Sequence, residues 1–152
     1  MKTFQKIIFV ISIMLMSHCG YSQDNCAKMP VEKGTIGSLY GYRIHPNTGT
    51  RKFHAGLDIR AKYGSEVYAA FDGVVVEVKK SNKAYGNSIM VLHENGLITF
   101  YAHLSAFTVK KGDIVCKGNL IGKIGTSGNA TGPHLHFEVR ERDSKLNPLE
   151  YL

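Results

Sequence analysis

From Thr35 to the C-terminus, glycines cut the chain into short runs whose apolar residues recur at every second position. Such a pattern belongs to half-buried strands, because successive side chains on a strand point to opposite faces. No helical apolar stripe of useful length interrupts it. Sixteen glycines against four prolines supply turns without many strand breakers. The chain is therefore expected to be mainly β, with short antiparallel strands.

Individual runs sharpen this. In Val74 to Lys79 the alternation places Val74, Val76 and Val78 on one face and Val75, Glu77 and Lys79 on the other. Asn87 to His93 and Leu97 to His103 read as two strands joined through Glu94-Asn95-Gly96. Asn-Gly is a strong two-residue hairpin signal, because both turn positions need positive φ. Gly64-Ser-Glu-Val67 is echoed by Gly112-Asp-Ile-Val115, each ahead of a further strand. Lipoyl and biotinyl carrier domains have a similar pair of glycine-turned strands. They also need a modifiable lysine at a hairpin tip, and none is found here.

At 152 residues there is room for one domain. Lys2 and Lys6 precede an apolar run, Ile7 to Met16, interrupted only by Ser12 and followed by the polar stretch Ser17 to Ser22. This reads as a secretory signal over residues 1–22, with Gly20 and Ser22 as the small residues before a cut near Gln23. The run is too short for a membrane span. A rival reading makes Cys19 a lipidated N-terminus, but His18 fits that cleavage poorly. Residues 23–34 are a short polar lead-in, and residues 35–152 form the domain. Removal of Cys19 with the signal would leave Cys26 and Cys116, which an exported protein can join. The net charge of +7 suits polyanions in general. No basic cluster is interleaved with aromatics, so a nucleic-acid partner is not expected.

Three stretches carry chemistry: His54-Ala-Gly-Leu-Asp58, Tyr101-Ala-His103-Leu104 and Gly132-Pro-His134-Leu-His136-Phe137-Glu138. His134 and His136 alternate with Leu135, Phe137 and Val139, so both imidazoles face away from the core. His54 and Asp58 would lie roughly 13 Å apart on an extended strand at about 3.3 Å per residue. One ion can hold both only if the chain bends, and Gly56 permits a bend. His103 ends the second hairpin strand, on one face with Tyr101 and Thr99 and opposite the neighbourhood of Ser88. His45 and His93 sit at a loop entry and a strand end. His93-Glu94 does not open a helical zincin motif, because its fifth residue is Leu97. His54, Asp58 and one of the paired histidines form a three-ligand set of the kind that leaves zinc an open position. Zinc in such a site lowers the pKa of water toward about 7 and polarises a carbonyl, while nearby imidazoles move protons.

This ordered set resembles the M23 family of zinc metallopeptidases, the lysostaphin- or LytM-type endopeptidases. The resemblance runs from about Gly37 to Leu152. It includes Gly41-Tyr-Arg43-Ile-His45-Pro46, Gly64 through Gly73, Tyr85-Gly-Asn87, Gly125-Thr-Ser-Gly128 and Asn147-Pro148-Leu149. It implies a single-domain, antiparallel, two-sheet fold with a groove for the active site. It implies one Zn2+ per chain on His54, Asp58 and His136, with His103 and His134 as the catalytic pair. The implied substrate is the peptide of bacterial peptidoglycan, in stem cross-links or glycine bridges; with the signal read above, the protein is expected to be an exported monomer. Some members have lost ligands and only bind wall or activate amidases; all five positions are intact here. An effector aimed at competitors is a third reading. The lead-in is shorter than the N-terminal regions that occlude the groove in some relatives, so an open site is expected. Residues 43–53 and 80–87 are expected to shape the groove.

Overall fold

The computed structural model describes residues 19, 27–44 and 49–152. The strands are β1 (Thr35–Ser38), β2 (Gly41–Ile44), β3 (Arg51–His54), β4 (Leu57–Arg60), β5 (Glu66–Tyr68), β6 (Gly73–Lys79) and β7 (Ser88–Leu92). They continue with β8 (Leu97–Ala102), β9 (Leu104–Phe107), β10 (Ile114–Val115), β11 (Leu120–Ile124), β12 (His134–Glu141) and β13 (Ser144–Leu146). A 3-10 turn follows at Pro148–Glu150.

The organising element is β12. Its Leu135, Phe137 and Val139 are fully buried, as their alternation with the histidines requires. Each such burial contributes about 1.5–3 kcal/mol. β12 pairs antiparallel with β4 on one side and β8 on the other. The sheet continues as β1-β4-β12-β8-β7-β6-β10, with β13 also on β12, to give eight strands. A three-stranded sheet, β5-β11-β9, shares one core with it. Val67, Leu104, Ile121 and Ile124 from the small sheet meet Leu57, Ile59, Ile89, Tyr101, Leu135 and Phe137 from the large one. The two-sheet antiparallel architecture is as expected. A separate two-stranded hairpin, β2-β3, stands beside it with Tyr42 and Phe53 exposed.

Two local expectations change and one holds. The valine run is not a plain alternation. Val75 lies opposite Val91 but Glu77 opposite Met90, so a bulge at Val76 shifts the register. Val75 and Val78, rather than Val74, Val76 and Val78, therefore reach the core. The β7-β8 turn has positive φ at Gly96 but not at Asn95. The Gly96 N–H bonds the His93 carbonyl, and the His93 N–H bonds the Leu97 carbonyl. This is a three-residue turn with a glycine bulge, which needs only one left-handed residue. The glycine echo is real in structural terms: Gly64 and Gly112, both at positive φ, precede the short strands β5 and β10.

The cysteine pairing is also corrected. Cys116 is bonded to Cys19, with Cα atoms 5.4 Å apart. A thiol forms one such bond, so while Cys19 is present Cys116 is not available to Cys26. Cys26 itself, and the rest of the proposed signal apart from Cys19, lie outside the described residues, as does His45. Ala27, Met29 and Val31 of the lead-in pack on the core, and the Lys28 N–H bonds the Ala70 carbonyl. Among the described residues no helix is long and apolar enough to cross a membrane.

Candidate metal centre and active site

Strand register places the first two groups of the site. Asp58 on β4 lies directly opposite His136 on β12. Leu57 and Ile59 face the core, so Asp58 faces the same side as His134 and His136. His54 ends β3, and the link Ala55-Gly56 turns the chain back into β4. Gly56 is needed there for closeness rather than for an unusual φ. A Cβ on it would lie 2.4 Å from the Phe137 carbonyl oxygen and 2.8 Å from Glu138 Cγ. Absence of a side chain lets the bend lie flat on β12, which brings His54 to the other two.

The three side chains converge. His54 Nε2 is 3.0 Å from Asp58 Oδ1 and 3.1 Å from His136 Nδ1, and His136 Nδ1 is 2.8 Å from Asp58 Oδ1. The far nitrogens set the tautomers. His54 Nδ1–H donates to the Leu39 carbonyl at 2.8 Å, and His136 Nε2–H donates to Glu138 Oε1 at 2.8 Å. With those protons placed, two nitrogen lone pairs and a carboxylate oxygen point at one another with no donor between them. Such a set repels itself unless a cation joins it. Ligand atoms on one tetrahedral zinc with bonds of about 2.05 Å stand roughly 3.3 Å apart, so the donor set fits that ion with a small expansion. Burial pushes the Asp58 carboxyl up, but in the metal-free cluster a proton shared from His136 or His54 outweighs it and holds the carboxyl well below the usual carboxylate range. Arg43 NH2 stands 3.7 Å from Asp58 Oδ2, on the hairpin side of the cleft.

His103 arrives by a different route from the expected one. Tyr101 and Thr99 face the core and are fully buried, so a regular strand would send His103 there too. Instead His103 adopts φ 62°, a left-handed conformation uncommon for a residue with a side chain. This kink separates β8 from β9 and turns the imidazole to the β12 cleft face, 4.8 Å from the His134 ring by centroids. The His103 N–H bonds the Tyr85 carbonyl, which holds the kink without any pairing to Ser88. His103 Nδ1–H donates to the Ser127 carbonyl at 2.8 Å, leaving Nε2 as an acceptor. Burial pushes the His103 pKa down to about 4, against the Ser127 bond and with help from His134 and His136, so the ring is neutral at neutral pH. His134 Nδ1–H donates to the Gly132 carbonyl, and its Nε2 lies 3.8 Å from Asp58 Oδ1.

The fold and this five-residue cluster can be set against known proteins. The family model for Peptidase family M23 matches residues 52–148. This chain belongs to peptidase family M23. The M23 chain is 43% identical over 120 residues to the DD-carboxypeptidase/endopeptidase Mpg of Neisseria meningitidis serogroup B, covering 79% of this chain and 27% of that protein. It is 43% identical over 106 residues to the peptidoglycan DD-endopeptidase ShyC of Vibrio cholerae, covering 70% of this chain and 24% of that protein. The M23 chain thus spans about a quarter of the length of these curated relatives. A crystal structure of a zinc-containing peptidase from Vibrio cholerae superposes with a TM-score of 0.69 at 39% identity, over 78% of this chain and 37% of that one.

All five residues picked from the M23 sequence are brought together. His93, set aside in the sequence, is buried on the core side, bonded to the Asp72 carbonyl and to Thr99. Two contributors went unassigned. Ser127 orients His103 through its carbonyl, and its hydroxyl donates to Leu104 while accepting from the Asn87 N–H. Glu138 is fully buried against His136, and although burial pushes its carboxyl up, bonds from His136 and Arg140 bring it down to about 2. The alternation His134-Leu-His136-Phe-Glu138 already placed Glu138 on the cleft face; an acid on that face beside a ligand was the available signal.

Proposed function

We propose that this chain is an exported zinc endopeptidase that hydrolyses DD peptide cross-links of bacterial peptidoglycan. One observation carries the reading: the three inward-facing acceptor atoms of His54, Asp58 and His136, with the free nitrogens of His103 and His134 beside them. The M23 relatives named for peptidoglycan DD-endopeptidase activity support the choice of substrate. Export is supported by the leader-like residues 1–22.

In this reading His54, Asp58 and His136 hold the zinc. When bound, zinc polarises a carbonyl and brings the pKa of water toward about 7. The rest falls to the chain. His103, neutral because it is buried, can take a proton at Nε2 from the attacking water. His134 Nε2 faces the same space, and a proton there would meet the negative charge that develops on the scissile carbonyl oxygen. The proton taken at His103 can then pass to the leaving amine, which returns the His103 ring to its neutral form. Arg43 adds positive charge at the mouth, and the hairpin with Tyr42 and Phe53 forms a lip along which an extended peptide can lie.

The test is direct. Purified wall sacculi are incubated with the protein, with and without chelator, and new free amino groups are counted. Release that stops with chelator and returns with zinc is the expected result. No release from any wall type by zinc-loaded protein would remove the enzymatic reading. Mass spectrometry of the released muropeptides identifies the bond.

A further inference from the structure

The buried acid that follows the metal cluster along β12 has a place in the site that the reaction scheme does not use. Glu138 Oε1 accepts from His136 Nε2 at 2.8 Å, and Glu138 Oε2 accepts from Arg140 Nε at 2.7 Å. Lys145 Nζ stands 3.8 Å from the same Oε2. His136, Glu138 and Arg140 are spaced by two on one strand, so all three share the cleft face. The Arg140 guanidinium lies 4.1 Å from the centroid of the Phe100 ring, and Phe100 is directly opposite Glu138 across the β12-β8 ladder. The Tyr85 ring leans on His136 with centroids 5.4 Å apart, and its hydroxyl accepts from Lys145 Nζ at 3.1 Å. The carboxylate is thus held from both ends and sealed from water.

We propose that Glu138, anchored by Arg140, is a positioning residue that keeps His136 in the one tautomer and ring orientation able to offer Nδ1 to zinc. This rests on the zinc reading above. An imidazole has two nitrogens, and whichever carries the proton cannot bind metal. Without an acceptor at Nε2, the His136 proton can sit on Nδ1, where Asp58 Oδ1 waits at 2.8 Å. That arrangement satisfies the protein internally and closes the site to metal. Glu138 draws the proton to the far side and leaves the Nδ1 lone pair facing His54 and Asp58. Its negative charge also raises the donor strength of the ring, as acids behind metal-bound histidines do. A carboxylate kept fully out of water costs several kcal/mol before its partners repay it. A role at the metal accounts for that placement better than strand packing, which an apolar side chain would serve.

The experiment is a zinc competition titration on chelator-stripped protein against a chromophoric chelator, with apo-protein melting followed by circular dichroism. Glu138→Gln keeps the shape and removes the charge, and it is expected to weaken zinc binding about 10- to 100-fold. His103→Ala, which makes no hydrogen bond to Glu138 or to His54, Asp58 or His136, is expected to bind zinc like the wild type. A Glu138→Gln affinity within about threefold of wild type overturns the proposal, whatever happens to the melting temperature. Should that variant fail to fold, Arg140→Gln leaves the carboxylate but loosens it. A loss of about three- to tenfold is then expected, and unchanged zinc affinity overturns the proposal equally. Wild-type protein that binds no zinc would instead sink the reading on which the proposal rests.

Discussion

Acid should weaken this fold through a histidine that takes no part in the cleft. His93 is buried on the core side of the large sheet, and burial pushes its pKa down from 6.5 to about 4, against the opposing bond to the Asp72 carbonyl. That carbonyl, 2.7 Å from Nδ1, can only accept, so Nδ1 carries the proton of the neutral ring. Nε2 must then accept from the Thr99 hydroxyl at 2.8 Å. The Thr99 oxygen lies 3.0 Å from the Tyr101 hydroxyl, which in turn receives the Ala70 N–H at 2.9 Å. Every proton in the series points toward Asp72. Adding one at Nε2 forces the series to reverse and leaves a charge in the core.

The unfolded chain takes that proton near pH 6.5 and the folded chain near pH 4. Stability from the neutral ring is present in full above pH 6.5 and is lost as the pH falls between the two values. At about 1.4 kcal/mol per pH unit, the gap is worth about 3 kcal/mol. That is a large share of the roughly 5–15 kcal/mol of a typical domain. Urea titrations at pH 7 and pH 4, in chelator throughout, should show wild type losing about 3 kcal/mol more than His93→Gln over that interval. Other acids and histidines titrate in both proteins and cancel in the difference. Equal losses in the two proteins would refute the reasoning.

Three further outcomes are expected. His54→Ala and Asp58→Ala should lose zinc and hydrolysis together, whereas His134→Ala and His103→Ala should keep zinc and lose about 10²- to 10⁴-fold in turnover; full zinc retention by Asp58→Ala in a metal assay would undo the ligand set. Gly56→Ala places a Cβ 2.4 Å from the Phe137 carbonyl and should cost about 1–3 kcal/mol while weakening zinc binding; an unchanged melt and affinity would show that the bend has slack. Non-reducing peptide mapping of the chain that retains residues 1–22 should yield a Cys19–Cys116 pair, and Cys116→Ser in that form should cost about 2–5 kcal/mol by opening that loop; a Cys26–Cys116 peptide from that form would refute the pairing.

What the sequence disclosed and what it hid follow from the range of the forces involved. Alternation in His134-Leu135-His136-Phe137 is a local signal, and the strand it describes has the faces it implies. The Asn95-Gly96 turn located the β7-β8 hairpin for the same reason, although one left-handed residue sufficed. The bulge at Val76 was invisible because three valines in a row fit either register, and only pairing with Val91 and Met90 decides between them. The left-handed His103 was hidden more deeply. Nothing in Tyr101-Ala-His103-Leu104 requires positive φ; the Tyr85 and Ser127 carbonyls, 18 and 24 residues away, hold it there. The histidine's membership of the site was legible from family resemblance, but the backbone turn that delivers it was not. Glu138 was given neither a face nor a task, because its bond to His136 depends on a ring orientation that the sequence does not state.

The strand that holds the cluster together is made after both of its neighbours. β12 sits between β4 and β8, yet it begins only at His134. A ribosome that has not reached that residue has already produced both flanking strands, with a gap where the spine belongs. Asp58 then has no His136 opposite it, and the half-made protein lacks the His54, Asp58 and His136 cluster. Loss of β12 would have the same effect at any time, leaving two raw edges for other chains to pair with. The three-residue cluster is completed in one step, when β12 slides home between β4 and β8, so the cell that synthesises this polypeptide handles an incomplete site until then.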